Sequence, residues 1–322
     1  MSKLAVFTSL FALIVATGIN PSQSAAQSQW PQSTLKQNKL SVQVEGKVFD
    51  REGNGSDTPL IFDSVTNATL LTGDQATDFG SDFGIELRAN LPGINNRSFE
   101  LRAVIAEWDE QRSVSGANLA SPLLFPDPLN PATTFESNNE ADYFSFELMR
   151  KREVLPGVTV SAGPRFISTS DITTFVSTQA AGPIAGPLFG DFEAKNSLIG
   201  AQVGLEFNRP IAQSLSITLF GRAGGYYNGT KFNTATATGP TNTSASARTN
   251  SRRSTESFVA DAGGRVNFEI IPNGLSSYIG YEATVIDGIA LSTENFLNTG
   301  PLIDTNNTVF FQAITFGINL SY

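Results

Sequence analysis

The feature that most constrains this chain is a rhythm. Apolar and polar residues alternate with period two in ten runs of about 11 to 16 residues, at 39–51, 78–91, 97–110, 141–154, 157–169, 196–208, 214–228, 255–270, 275–288 and 308–322. In "ESFVADAGGRVNFEI" one face carries Phe258, Ala260, Ala262, Gly264, Val266, Phe268 and Ile270, and the other carries Ser257, Val259, Asp261, Gly263, Arg265, Asn267 and Glu269. "NSLIGAQVGLEF" and "SDFGIELRANL" divide in the same way. Strands of this length exceed the usual five or six residues of a globular sheet. One face suits oil and the other suits water.

The links between the runs sort by length. Long links of roughly 26, 30, 26, 26 and 19 residues (52–77, 111–140, 170–195, 229–254, 289–307) alternate with the short ones "PGINN", "LP", "RPIAQ" and "IPNG". Every long link therefore falls at one end of the strands and every short one at the other. An up-and-down barrel spanning the bacterial outer membrane has this layout, with short periplasmic turns and long outer loops. Lipid offers no partner to a sheet edge, so the sheet has to close. The reading is all-β: a transmembrane antiparallel up-and-down β-barrel of ten strands over 39–322, or twelve if 61–72 and 172–178 add strands instead of extending them.

Both ends of the sequence fit an exported barrel. Lys3 is the only charge before "LAVFTSLFALIVATG", and small residues follow at Ser24 and Ala26. That pattern is a secretory signal over 1–26, its apolar core too short to span a bilayer. Residues 27–38 read as a flexible periplasmic lead-in. At the other end "VFFQAITFGINLSY" places Phe316, Ile318, Leu320 and Tyr322 on one face, resembling the recognition signal of barrel substrates for the outer-membrane assembly machinery. Phe144, Phe146, Phe207, Tyr281, Phe310 and Phe316 are expected to face lipid.

Composition excludes several classes of function. There is no cysteine and no histidine, which removes Cys/His metal sites and the usual near-neutral catalytic base. Outer-membrane barrel enzymes such as the omptin proteases use a histidine, so no enzyme activity and no cofactor are expected. A net charge of -9 argues against nucleic acid as partner. The expected partners are outer-membrane lipid and lipopolysaccharide, the barrel assembly machinery, and small solutes if the lumen is open; the oligomeric state is not legible.

The segments "NSLIGAQVGLEFNRPIAQSLSITLFGRAGGYYNG", "SFVADAGGRVNFEI" and "SSYIGYEATVIDGIALS", with the terminal strand, resemble the C-terminal half of the Legionella-type pore-forming outer-membrane proteins. The similarity covers 140–322 and rests on Gly-rich hairpins and the "GYEATVIDGIALS" stretch; the cysteines found in that family are absent. It implies a barrel in the outer membrane, with a pore.

Alternation assigns to the lumen Glu45, Lys47, Glu86, Arg88, Glu100, Arg102, Glu147, Arg165, Glu206, Arg222, Asp261, Arg265, Glu269 and Glu282. Two readings stand. Ten strands lie near the filled end of the barrel size range, so these charges form a plug of ion pairs. Alternatively they line a narrow, cation-preferring pore, with Glu206, Asp261, Glu269 and Glu282 biasing the field and Arg222 and Arg265 on the opposite wall. Inward glycines at 200, 204, 224, 263, 280 and 317 leave room for the pore, or serve strand curvature. The expected role is porin-like, a passive pore for ions or small solutes; the alternative is a non-conducting, adhesin-like barrel acting through its five long loops. Two weaker motifs complete the reading. "DREGNGSD" (50–57) begins like a calcium loop but has Ile61 where a carboxylate is needed, and Arg248, Arg252 and Arg253 form a basic cluster suited to lipopolysaccharide phosphates or to solvent.

Overall fold

The computed structural model describes residues 40–53, 59–72, 75, 79–93, 97–120, 132–179, 187–238, 245–297 and 303–322. The expected signal over 1–26 and lead-in over 27–38 lie outside these residues. Twelve strands form a single sheet: β1 (Ser41–Gly53), β2 (Pro59–Asp63), β3 (Thr69–Thr72), β4 (Phe79–Pro92), β5 (Arg97–Ala120), β6 (Ala132–Leu155), β7 (Val158–Gln179), β8 (Pro187–Ala212), β9 (Leu215–Thr238), β10 (Ala245–Ile271), β11 (Leu275–Ile289) and β12 (Asn307–Ser321). A short helix, α1 (Ser292–Leu297), lies between β11 and β12.

Ten of these strands close a ring. Each pairs antiparallel with its neighbour in the order β1-β4-β5-β6-β7-β8-β9-β10-β11-β12, and β12 returns to β1 over the full register Ser41↔Ser321 to Gly53↔Val309. The Tyr322 amide donates to the Leu40 carbonyl at the foot of that seam (2.9 Å). The two short strands are an outer hairpin, joined to the top of β5 through Phe62↔Ala120 and Asp63↔Leu119. At its tip the amides of Thr66 and Val65 donate to the Asp63 carboxylate, holding its pKa below the ordinary value. Residues 61–72 thus add strands outside the ring, whereas 172–178 lengthen β7.

All ten expected runs are strands, but the outer loops are shorter than the sequence suggests. Strands β5 to β10 run on for nine or ten residues past the expected outer ends, so most of 111–140, 170–195 and 229–254 is wall. Above the membrane the outer face of such a wall meets water instead of lipid, and the strict alternation that marks a lipid-facing strand is no longer required. The inner face still shows a trace of it in Phe135, Phe175, Phe192 and Phe232, all buried.

The apolar faces point outward. Ile199, Val203, Leu205, Leu219, Phe258, Ile279, Ile314, Phe316 and Ile318 are each about half exposed, as are Tyr227 and Tyr281. An apolar surface this continuous is a lipid interface, since soluble monomers rarely carry patches above a few hundred Å². On β5 the outward residues Phe99, Leu101, Ala103 and Ile105 are bounded by Arg97 below and Glu107 above. Ten residues at about 3.3 Å each, tilted by about 40°, give about 25 Å across the membrane.

The turn at Pro156 and Gly157 shows why a hairpin this tight needs glycine. Gly157 has φ of 76°, accessible to a residue without Cβ. Replacing Gly263 tests packing of a different kind, because a Cβ there would lie 2.6 Å from the Phe220 ring. Gly263→Val is expected to destabilise the barrel by about 1–3 kcal/mol through overpacking. Urea unfolding in lipid vesicles, followed by the heat-modifiable band, measures this.

Candidate functional site in the barrel lumen

Because the strands alternate, every second residue near mid-membrane points into the lumen, and in this chain fourteen of those residues are charged. Seven carboxylates (Glu45, Glu86, Glu100, Glu147, Glu206, Asp261, Glu282) meet seven cations (Lys47, Arg88, Arg102, Lys151, Arg165, Arg222, Arg265) in one network. Seven minus seven leaves no net charge.

The centre of the network is Arg102 on β5. Its guanidinium reaches Glu86 and Glu147 at 2.8 Å and Glu282 at 2.5 Å, joining strands from opposite sides of the barrel. Beside it the Lys47 ammonium sits among Glu282 (2.6 Å), Glu86 (2.8 Å) and Glu45 (3.4 Å). Those three carboxylates converge as if on a metal ion. The lysine nitrogen already supplies the positive charge at their centre.

Around this core Arg165 donates to Asp261 (2.5 Å), to Ser145 Oγ (3.0 Å) and to the Tyr143 hydroxyl (2.9 Å). Arg265 reaches Glu45 (3.3 Å) and lies over the rings of Phe220 and Tyr278, 5.1 and 5.0 Å from their centroids. At the periplasmic side Lys151 bridges Glu100 and Glu206, each at 3.0 Å, and Arg222 reaches Glu100 (3.3 Å). Burial makes this pairing obligatory, since a lone charge in a low-dielectric interior costs several kcal/mol.

Of the six lumen residues singled out from sequence, Arg222, Asp261, Arg265 and Glu282 are buried in the network. Glu206 lies at its lower edge, about a quarter exposed. Glu269 stands apart at the periplasmic rim, accepting the Asn273 amide of the β10–β11 turn (2.8 Å). Glu206, Asp261 and Glu282, expected to bias a pore, are thus neutralised in place. Lys151 escaped sequence reading because it lies in "MRKRE", where consecutive charges hide the alternation; parity with Met149 and Glu147 was the available signal.

The inward glycines do not widen the lumen. Phe220 fills the space over Gly263, Tyr278 that over Gly317, Tyr226 that over Gly200, and the Arg265 stem that over Gly280.

Directly above the charges lies an apolar layer. Trp108 packs against Phe49 and Phe311 at centroid distances of 5.7 and 5.5 Å, with Tyr143 against Phe311 at 5.3 Å. Val104, Ile167, Leu198, Val259, Ile286 and Val309 complete it.

Higher still, the chain after β11 folds into the mouth. Asn196 donates to the Ala290 carbonyl (2.8 Å) and accepts from the Ala290 amide (2.9 Å), while Asn228 donates to the Gly288 carbonyl (3.1 Å). Ser292 of α1 donates to Asp171, which also pairs with Arg51 (2.7 Å). A second apolar cluster closes the top: Ile61 and Leu71 from the hairpin, Leu119, Phe135, Phe175, Phe192 and Ile303. Sequence reading placed 289–307 among the outer loops; its "IALS" segment is instead an inward plug, buried at Ile289, Ala290, Leu291 and Ser292. Open concavities of about 340 and 450 Å³ lie on the upper wall, beside Asp191 and Asn233 and beside Asp82 and Glu107.

The remaining sequence candidates lie outside the lumen. Phe316, Ile318 and Leu320 face lipid on β12, and Tyr322 is 70% exposed. In the "DREGNGSD" stretch Asn54, Gly55, Ser56 and Asp57 lie outside the described residues, and Glu52 accepts from Gln312 (3.3 Å). Arg252 is exposed, Arg253 donates to the Ile303 carbonyl (2.6 Å), and the Arg248 side chain lies outside the described residues.

If the network holds the barrel together, removing its lysine leaves three converging carboxylates uncompensated. Lys47→Met is expected to cost about 3–5 kcal/mol, and adding Glu282→Gln to recover part of it. Unfolding midpoints of the single and double variants in vesicles measure both.

No family model matches the chain, and no curated protein matches it. Solved structures do. The outer-membrane protease OmpT of Escherichia coli has TM-score 0.51 at 8% identity, covering 89% of this chain and 97% of that one. The translocator domain of the autotransporter NalP of Neisseria meningitidis has TM-score 0.43 at 8% identity, covering 98% and 95%. Ail, the attachment invasion locus protein of Yersinia pestis, has TM-score 0.29 at 10% identity, covering 89% and 99%. The likeness to OmpT speaks for the fold alone, and no specific family follows, the Legionella-type pore-forming proteins included. The chain is a closed, ten-stranded antiparallel β-barrel of the bacterial outer-membrane type.

Proposed function

We propose that this protein is a non-conducting outer-membrane barrel whose role is carried by its extracellular end. The observation that carries the reading is the filled lumen. A neutral ion-pair network, an apolar layer, the inward segment 288–295 and an upper apolar cluster follow one another along the axis. The charged layer and the inward segment are held by bonds that reach across the barrel, so opening a path would break several buried pairs at once.

The porin-like role expected from the sequence has less support. It relied on unpaired acidic residues and on room beside the inward glycines. Of the acids named for it, Glu206, Asp261 and Glu282 are ion-paired and Glu269 holds a turn amide at the rim, and the glycines are covered by rings and stems. Small solutes are accordingly not proposed as partners.

The extracellular end offers a raised, polar wall on β5 to β10 instead. It is rich in Thr, Asn and Ser, the donors and acceptors of a surface that binds by adaptable hydrogen bonding. The reading therefore includes adhesion or ligand capture at the cell surface, with lipid and lipopolysaccharide around the barrel. β12, with its outward Phe316, Ile318 and Leu320 and the terminal Tyr322, is the segment offered to the assembly machinery. No catalytic role is proposed, since the chain has no histidine.

Single-channel recording in a planar bilayer tests the proposal. Refolded, heat-modifiable protein is expected to give no discrete steps, and neither is the variant with Glu206, Asp261 and Glu269 replaced by Gln. Discrete steps from the unmodified protein, with a cation preference that falls in the variant, would restore the pore reading.

A further inference from the structure

The outward face of β5 and β6 carries a second charged feature, at its periplasmic end. Arg97 and Arg152 are directly opposite in register, and Arg150 is opposite Phe99. All three arginines are exposed and share the outward parity of Phe99 and Leu148. None forms an ion pair among the described residues. The nearby carboxylates point the other way: Glu100 and Glu206 are held by Lys151 in the lumen, and Glu153 accepts the Gly157 amide. The neighbouring outward residues on β4 and β7 are Leu91, Val160 and Ala162. Residues 94–96, just before Arg97, are Ile, Asn and Asn and add no acid.

Like charges directly opposite on adjacent strands repel, and no ion pair among the described residues offsets the repulsion. Their depth identifies what would. The apolar band of β6, Phe144, Phe146 and Leu148, ends at Arg150 below and Asp142 above, and that of β5 ends at Arg97 below and Glu107 above. The guanidinium groups therefore stand at the periplasmic border of the hydrocarbon, the depth of inner-leaflet phosphates. At the opposite border the same strands present Glu107 opposite Asp142, so the preference for an anion is one-sided.

We infer that Arg97, Arg150 and Arg152 form a binding site for the phosphodiester headgroup of an anionic phospholipid, phosphatidylglycerol in type, in the periplasmic leaflet. Guanidinium forks match phosphate oxygens bidentately, and the long arginine stems lie along the apolar band while their heads reach the headgroups. A zwitterionic headgroup would bring its own ammonium to three cations and bind less well. The inference rests on the barrel spanning the outer membrane, not on what its extracellular end binds.

The test is native mass spectrometry of the full barrel in detergent, titrated with phosphatidylglycerol or phosphatidylethanolamine. About tenfold preferential retention of phosphatidylglycerol is expected, falling to within about twofold in Arg97→Gln/Arg152→Gln. Lys231→Gln/Arg252→Gln, at exposed cations above the opposite border, is expected to leave the preference intact, and added lipopolysaccharide is expected not to displace the bound lipid. Equal retention of the two lipids, survival of the preference in the arginine variant, its loss in the Lys231 and Arg252 variant, or displacement by lipopolysaccharide would each overturn the site. Should the double variant give no heat-modifiable band, Arg150→Gln serves, with about a threefold loss expected and an unchanged preference counting against the site. A folded barrel without lipid selectivity would remove the site and leave the membrane barrel standing.

Discussion

Every other property of this molecule depends on the seam between β1 and β12. A membrane sheet with an open edge would expose a row of amide and carbonyl groups to hydrocarbon, at several kcal/mol each. The thirteen-residue register from Ser41↔Ser321 to Gly53↔Val309 removes that edge. Closure at ten strands then fixes the interior. The diameter is too small for a wide aqueous channel and too large for a chain of small residues to fill, so long side chains have to meet near the axis. Arg102 and Lys47 do so, each reaching carboxylates from several strands.

That geometry explains why the interior is charged and yet neutral. Polar residues on one face of each strand leave the apolar face to lipid, and long charged side chains fill a wide lumen better than short hydroxyls do. Once they are buried, each charge requires a partner, and each of the seven carboxylates and seven cations lies within ion-pair distance of an opposite charge. Such a network contributes little net stability compared with an apolar core of equal volume, because desolvation offsets most of the attraction. Its value lies in register: slipping one strand by a residue would turn its charged face into lipid and leave its partners unpaired.

Much of this was legible in the sequence because lipid enforces a simple rule. Where a strand faces hydrocarbon, alternation is strict, and runs such as 196–208 and 255–270 declared both their existence and their parity. The twelve deeply buried charges named from that parity all point inward. What was not legible lies where the rule relaxes. Above the membrane the wall meets water, so the outer halves of β5 to β10 looked like loops. Inside, alternation says which residues face the lumen but not which of them meet, so the pairing of Asp261 with Arg165, or of Glu206 with Lys151, required the three-dimensional arrangement.

The plug illustrates the same limit from another side. "GYEATVIDGIALS" begins as a strand with alternating residues and ends as apolar residues that no strand pattern accounts for. Ile289, Ala290 and Leu291 are apolar because they turn into the barrel mouth, where Asn196 pairs with both backbone groups of Ala290. An asparagine in that position acts as a substitute strand, satisfying an amide and a carbonyl that would otherwise be buried unpaired. The segment is therefore held by specific bonds in addition to being packed. A run of apolar residues leaving a barrel strand, facing inward asparagines on other strands of the barrel, is a pattern that points to a loop folded inward and not out into water.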